Sequence, residues 1–256
     1  MITHQERRIL SSHAPRLPHA LALAALTLMV AACTDDSSTG TEQDTKQSEA
    51  LSPTLGFTLV DPQADGTVAL PAGRYALTAD GGGSSELAVL DVPEGFHGYG
   101  GWSLGAEEGP TNHHFFGVSY HTVDAVPEDG CTRDDEPTDA GTSPDDLVAA
   151  LEAQEMTSTT TPEPVSLAGH DGVYLELTAS ERIRPKTCTN RTFEVWSSGP
   201  DGHWLLFEPG QVDRLWLLDV DGQTVVLDAR SVPGVTQDQV DVITDIVESV
   251  HFADQS

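Results

Sequence analysis

Lysine is nearly missing from these 256 residues: only Lys46 and Lys186 are present, and Lys+Arg total 12 against 41 Asp+Glu, a formal charge of -29. Nucleic acid and anionic bilayers both reward clustered basic residues, so neither is expected as a partner surface. Cysteine is limited to Cys33, Cys131 and Cys188. No Cys-based or H-E-x-x-H spacing of a metal site occurs, and no cofactor is expected. Long apolar runs are also lacking, because the stretch Ala20 to Ala32 has 13 residues, too few for a comfortable membrane span. What remains, 38% hydrophobic and 21% charged, has the composition of one globular domain with an attachment.

That short run supplies the attachment. Residues 1–32 carry Arg7, Arg8 and Arg16 ahead of the apolar core, the order of an export signal, and Arg7-Arg8 fits a twin-arginine signal only in part. The core ends in Val30-Ala31-Ala32-Cys33, which resembles the lipobox of bacterial lipoproteins. The resemblance implies cleavage before Cys33, acylation of its sulfur, and attachment through two or three chains to membrane lipid, outside the cytoplasm; two chains suffice for stable anchoring. Removing residues 1–32 takes away three of the 12 basic residues and one of the 41 acids, leaving -31. Residues 33–54 follow, almost wholly Ser, Thr, Asp, Glu, Gln and Gly. Such a stretch cannot bury enough surface to offset the entropy of ordering, and reads as a disordered tether with a reach of roughly 25 Å.

From residue 55 to 254 the texture is that of a domain. Short apolar runs bounded by Gly, Pro and Asp read as strands over 56–60, 73–77, 87–92, 96–104 and 115–126, most economically an antiparallel meander. Ser143 caps a helix that has Pro144 at its first position, Asp145 and Asp146 in its first turn, and Leu147, Val148 and Leu151 as its buried stripe. Two hairpins follow, around Gly169-His170-Asp171-Gly172 and Gly199-Pro200-Asp201-Gly202. The clearest signal is Arg214 to Arg230, where Asp221-Gly222 between two apolar runs calls for a two-residue turn. That register sets Trp216 opposite Leu227, Leu218 opposite Val225 and Leu217 opposite Val226. Both faces are apolar, so the hairpin belongs inside a sheet with a helix over at least one side. Thr236 and Gln239 form a capping box, and Val240, Ile243, Ile246, Val247 and Val250 recur at helical spacing before a last strand at 250–252.

Ser143-Pro144-Asp145-Asp146-Leu147, the run Pro209 to Gly222, and Ile246-Val247-Glu248-Ser249-Val250-His251-Phe252 together resemble an uncharacterised actinobacterial lipoprotein or secreted domain. More distantly, a sheet with one middle and one C-terminal helix is similar to the PsbP-like α/β/α sandwich. The resemblance implies a fold and a location: an α+β domain, a largely antiparallel sheet covered by two helices, behind a signal peptide and flexible tether.

Several residues compete as sites. Cys131 and Cys188 are an even pair in an exported chain, which favours a disulfide closing a loop of about 58 residues and contributing about 4 kcal/mol. Gly101-Trp102-Ser103-Leu104-Gly105 matches the nucleophile elbow of serine hydrolases, but Ala106-Glu107-Glu108-Gly109-Pro110 is a poor start for the helix that must follow. His113, His114 and His121, with His97, would make a metal site only if they converged, and neighbouring histidines on a strand point to opposite faces. They read as surface histidines. Asp134, Asp135, Glu136, Asp139, Asp145 and Asp146 lack the ligand order of a calcium loop and read as a solvated acidic face. Asp213 opposite Arg230 reads as a cross-strand ion pair worth under about 1 kcal/mol if exposed. The expected function is therefore non-catalytic: an envelope domain that binds a protein partner or an apolar ligand. A small secreted hydrolase using Ser103, or a metal-binding envelope protein, is the alternative.

Overall fold

The computed structural model describes residues 56–61, 67–80, 84–107, 115–132, 138–198, 202–206 and 208–254. The expected signal segment, Cys33 and the tether lie outside them. The first half of the chain forms β1 (Thr58–Leu59), β2 (Thr67–Leu70), β3 (Gly73–Leu77), β4 (Glu86–Val92), β5 (Phe96–Tyr99), β6 (Ser103–Glu107), β7 (Phe115–Thr122), β8 (Ala125–Val126) and β9 (Thr138–Asp139). After helix α1 (Pro144–Ala153) come β10 (Thr157–Thr159), β11 (Glu163–Leu167), β12 (His170–Ala179), β13 (Phe193–Ser198) and β14 (Gly202–Leu206). The chain ends in β15 (Val212–Val220), β16 (Gln223–Ser231), α2 (Gln237–Glu248) and β17 (His251–Asp254).

These strands build three sheets. The main one runs β10-β12-β15-β16-β7-β6-β5-β2, with β11 added on β12; the smaller two run β1-β3-β4-β17 and β14-β13-β8-β9. The pairing is antiparallel except for β1 with β3. The main sheet is centred on the β15–β16 hairpin. Asp221 and Gly222 take φ of +54° and +82°, as a two-residue turn matched to strand twist requires. The expected pairs Trp216–Leu227, Leu217–Val226 and Leu218–Val225 all form.

Alternation along that hairpin divides the interior into two cores. Trp216, Leu218, Val225, Leu227 and Ala229 enter one core with Leu77, Leu90 and Val92 of the first small sheet and Ile243, Ile246 and Val247 of α2. Leu215, Leu217 and Val226 enter the other, with Leu147 and Leu151 of α1 and Phe193, Val195, Trp196, Trp204 and Leu206 of the second small sheet. Both helices start as their sequences dictate. Ser143 Oγ accepts from Asp146 N at 3.2 Å. Thr236 Oγ1 accepts from Gln239 N at 3.4 Å while Gln239 Oε1 accepts from Thr236 N at 2.9 Å.

The expected α/β/α sandwich is corrected in one respect: each face of the main sheet is shared between a helix and a four-stranded sheet. The reason is reach. A helix about 10 Å across spans only two or three strands spaced about 4.8 Å apart. Accordingly α2 packs on β7, β16 and β4, and α1 on β10, β12 and β15, leaving the other strands for the small sheets to cover. Three local readings also change. The expected strand 96–104 is a tight hairpin, β5–β6, because Gly100 and Gly101 turn the chain with φ of +56° and +80°. The expected strand 115–126 breaks after Thr122, and β8 leaves for the second small sheet by pairing with β13. The β11–β12 turn lies at Ala168-Gly169, with φ of +53° and +86°, so that Leu167 opposes His170.

Cys131 and Cys188 are bonded, 57 positions apart, and fasten the loop after β8 to the chain entering β13. The same junction is tied by Thr189 N to Cys131 O at 2.9 Å and Glu194 N to Gly130 O at 2.8 Å. Reduction is expected to lower the melting temperature by roughly 10 °C, the effect of a loop constraint of about 4 kcal/mol in a domain of this size; equal melting with and without reductant contradicts it. Trp216, buried and 5.0 Å from the Tyr174 ring, is expected to cost about 3 to 5 kcal/mol on substitution by Ala, read by urea unfolding.

Candidate functional site

The face of the main sheet that looks into the second core carries a strip of polar side chains. Strand alternation places Ser103 on β6, Ser119 and His121 on β7, Asp228 and Arg230 on β16, and Asp213 on β15 there, all of them 4% exposed or less. Register joins them sideways: Ser103 opposes Ser119, Ser119 opposes Asp228, and Arg230 opposes Asp213. Buried polar groups at this density are costly unless they satisfy one another.

Arg230 is the centre of the strip. Its guanidinium lies over the Trp204 ring at 3.6 Å from the centroid and 5.6 Å from that of Phe115. Its Nε is 3.9 Å from Asp213 Oδ1 and its Nη2 is 3.7 Å from Asp228 Oδ2. The expected ion pair with Asp213 thus exists, but at 1% exposure on both sides rather than at the surface. Two buried carboxylates beside one guanidinium cannot both stay ionised without leaving a charge uncompensated. Asp213 Oδ1 accepts from Gln211 Nε2 at 2.8 Å, whereas neither Asp228 oxygen has a hydrogen-bond partner among the described residues. Burial, then repulsion from Asp213, pushes Asp228 well above the usual carboxylate range, and burial raises Asp213 too. Burial lowers the Arg230 pKa, but an arginine starts so high that it stays charged. Of the two carboxyls, Asp228, with no hydrogen bond among the described residues to hold its charge, is the one pushed further toward its protonated form.

His121 sits beside this group, fully buried, in correction of the surface position expected for it. Its ring centroid is 4.4 Å from that of Trp204, 5.4 Å from Trp196 and 5.5 Å from Trp102. Nδ1 stands 3.7 Å from Asp80 Oδ2, and neither ring nitrogen has a hydrogen-bond partner among the described residues. Asp80 arrives by extending the sheet where β6 stops: its N–H donates to Tyr120 O at 2.9 Å. Burial depresses the imidazole pKa more than Asp80 raises it, and Arg230 depresses it further.

The other candidates separate. Ser103 opens strand β6, which runs on to Glu107 where an elbow needs a helix; its hydroxyl is 3.2 Å from Ser119 Oγ and donates to Val118 O at 3.4 Å. His113 and His114 lie outside the described residues, as do Asp134, Asp135 and Glu136. His97 is on β5 opposite Gly105. Asp139 and Asp146 serve their own turns, Asp139 Oδ1 accepting from Gly141 N and Asp146 Oδ2 from Ser143 Oγ, at 2.9 and 2.7 Å. Among the described residues no group of three His, Cys, Asp or Glu could hold a metal ion. Asp228 and the tryptophan surround went unread in the sequence. The usable signal was the spacing of Asp228 and Arg230, which alternation sets on the same inward face as Val226.

A groove of about 680 Å³ opens on the opposite side of the molecule's main sheet, between α2 and the β3–β4 end of the first small sheet. Val92, Pro93, Val242 and Ile246 give it an apolar lining; Asp245, Ser249 and the Arg74–Asp91 ion pair, 3.0 Å long, edge it.

No family model matches the chain, and no curated protein does. Among solved structures it is similar to the solution structure of cyanobacterial PsbP (CyanoP) from Synechocystis sp. PCC 6803, at 15% identity over 75% of this chain and 100% of that one, with a TM-score of 0.32. The layer order given above stands on this chain's own pairing and packing.

The raised pKa of Asp228 sets a direction for stability. With its folded pKa above the unfolded value, the group contributes fully below about pH 3.9 and loses that contribution as pH rises toward the folded value. Asp228→Asn, which keeps the shape of the protonated acid, is expected to gain stability over the wild type at pH 8 relative to pH 4.5 in urea unfolding. Parallel pH profiles for the two proteins contradict the assignment.

Proposed function

We propose that the protein is a lipid-anchored cell-envelope protein, held at the membrane through acylated Cys33 and facing outside the cytoplasm, whose domain binds without catalysis. The observation that carries the binding reading is the groove between α2 and the β3–β4 end: its volume is that of a small-molecule or side-chain site, and its apolar lining with few polar edges suits an apolar ligand or an apolar anchor of a protein partner. The lipobox and the acidic tether support the location, since a spacer of that length would hold the groove clear of the headgroups. A hydrolase has weaker support, because Ser103 is buried and bonded to Ser119.

Two measurements test this. Cys33→Ala is expected to abolish acyl labelling and move the protein from the membrane fraction to the medium; retention in the membrane contradicts the anchor. The mature protein is expected to bind an apolar naphthylamine probe saturably at one site, with at least tenfold weaker binding in Val242→Arg. Unchanged probe binding in that variant contradicts the groove, and ester or peptide hydrolysis lost in a normally melting Ser103→Ala protein overturns the non-catalytic reading.

A further inference from the structure

The β13–β14 hairpin rests its two tryptophans on a histidine. Trp196 and Trp204 stack at 5.7 Å with 17° between their planes, and both contact His121 on the main sheet. On the disulfide side the hairpin is fastened firmly: the Cys131–Cys188 bond precedes it, and Gln154 Nε2 donates to Val195 O, next to Trp196, at 2.8 Å and to Pro127 O at 3.1 Å. Its other end packs its tryptophans against His121 and Arg230 and is tied at the strand edge by Asp124 N to Ser197 O at 2.9 Å and by Ser198 Oγ bonding Thr122 O, bonds that opening must break.

An imidazolium is poorly accommodated at that position. Arg230 already occupies the face of Trp204, and a second cation at His121 would also lie within 4.4 Å of the same indole centroid. Asp80 is the facing carboxylate; at 3.7 Å it is within ion-pair distance but beyond hydrogen-bond length, so it offsets only part of the burial of a charged ring. The remaining ionisable groups nearby are spoken for or point elsewhere. Asp228 and Asp213 flank Arg230; Glu194 on β13 pairs with His203 on β14 at 3.0 Å; Asp124, just past β7, is exposed.

We propose that His121 makes the β13–β14 hairpin an acid-sensitive cover: protonation of the buried imidazole releases the tryptophan-bearing end of the hairpin from the main sheet, about the Cys131–Cys188 anchor. The direction follows from linkage. An open hairpin lets His121 bind a proton near the ordinary imidazole value, about 6.5, while the closed one resists it, so each pH unit below that value favours the open form about tenfold until the closed form also titrates. Opening uncovers Trp102, Trp196 and Trp204 together, an aromatic surface that a domain outside the cytoplasm would present only in acid.

The test is hydrogen exchange of the mature protein, disulfide intact, between pH 7.5 and 5, corrected for intrinsic rates. The wild type is expected to show opening of 193–206 that rises about tenfold per unit below pH 6.5, with β15 and β16 still protected; His121→Phe is expected to be flat over the range. An equal rise in His121→Phe assigns the effect to another group and overturns the proposal, as does loss of protection in all strands together. Proton NMR of the wild-type imidazoles provides a readout that needs no variant. His121 is expected to titrate together with the exchange change, and titration at the ordinary value without any change in exchange overturns the proposal as well.

Discussion

One register holds this fold together. The β15–β16 hairpin lies at the middle of the main sheet, and its Asp221-Gly222 turn decides which residues face which core. With the register found, Trp216, Leu218, Val225 and Leu227 meet α2 and the first small sheet, while Leu215, Leu217 and Val226 meet α1 and the second. A slip of one residue would exchange the two sets, driving Asp228 and Arg230 into an all-apolar core. The polar strip therefore specifies the register as firmly as the apolar face does.

That strip is also where the fold tolerates its greatest cost. A guanidinium, two carboxyls and an imidazole with no exposure to speak of would be untenable if all were charged. The arrangement moves the strip toward one compensated charge. Arg230 is spread over the Trp204 face and opposed by Asp213, while burial pushes the Asp228 carboxyl and the His121 imidazole toward their neutral forms. Each of these states depends on water being kept away by Trp196 and Trp204, so the stability of the strip and the seating of the β13–β14 hairpin are one question.

Much of the framework was legible in the sequence because it rests on local chemistry. The capped helices, the Asp-Gly turn with its three apolar pairs, and the cysteine pair each follow from residue types at fixed spacing. Where the reading failed, the deciding contacts were distant in sequence. Nothing near Phe115–Val126 announces that the strand must break so that β8 can pair with β13, some 70 residues on. His121 alternates with Tyr120 and Thr122 like a surface residue, and only the arrival of three tryptophans from β13, β14 and the β5–β6 turn buries it. The Asp213–Arg230 pair was found by register, but its burial depends on the second small sheet, which no local pattern predicts. Ala168 at φ +53° is a similar case, since alanine carries no sequence signal for that conformation.

The two faces of the main sheet thus suit different tasks. The groove beside α2 is open and mostly apolar, which suits the proposed binding role; the opposite face encloses a polar strip whose protonation is governed by burial. The neutral pairing of that strip is the claim on which the account of the second face depends, and the carbon-13 resonance of the Asp228 side-chain carboxyl tests it most directly. The account predicts that this carbon keeps the chemical shift of a protonated acid at pH 7. A resonance that has already moved to the shift of an ionised carboxylate at pH 7 would contradict it.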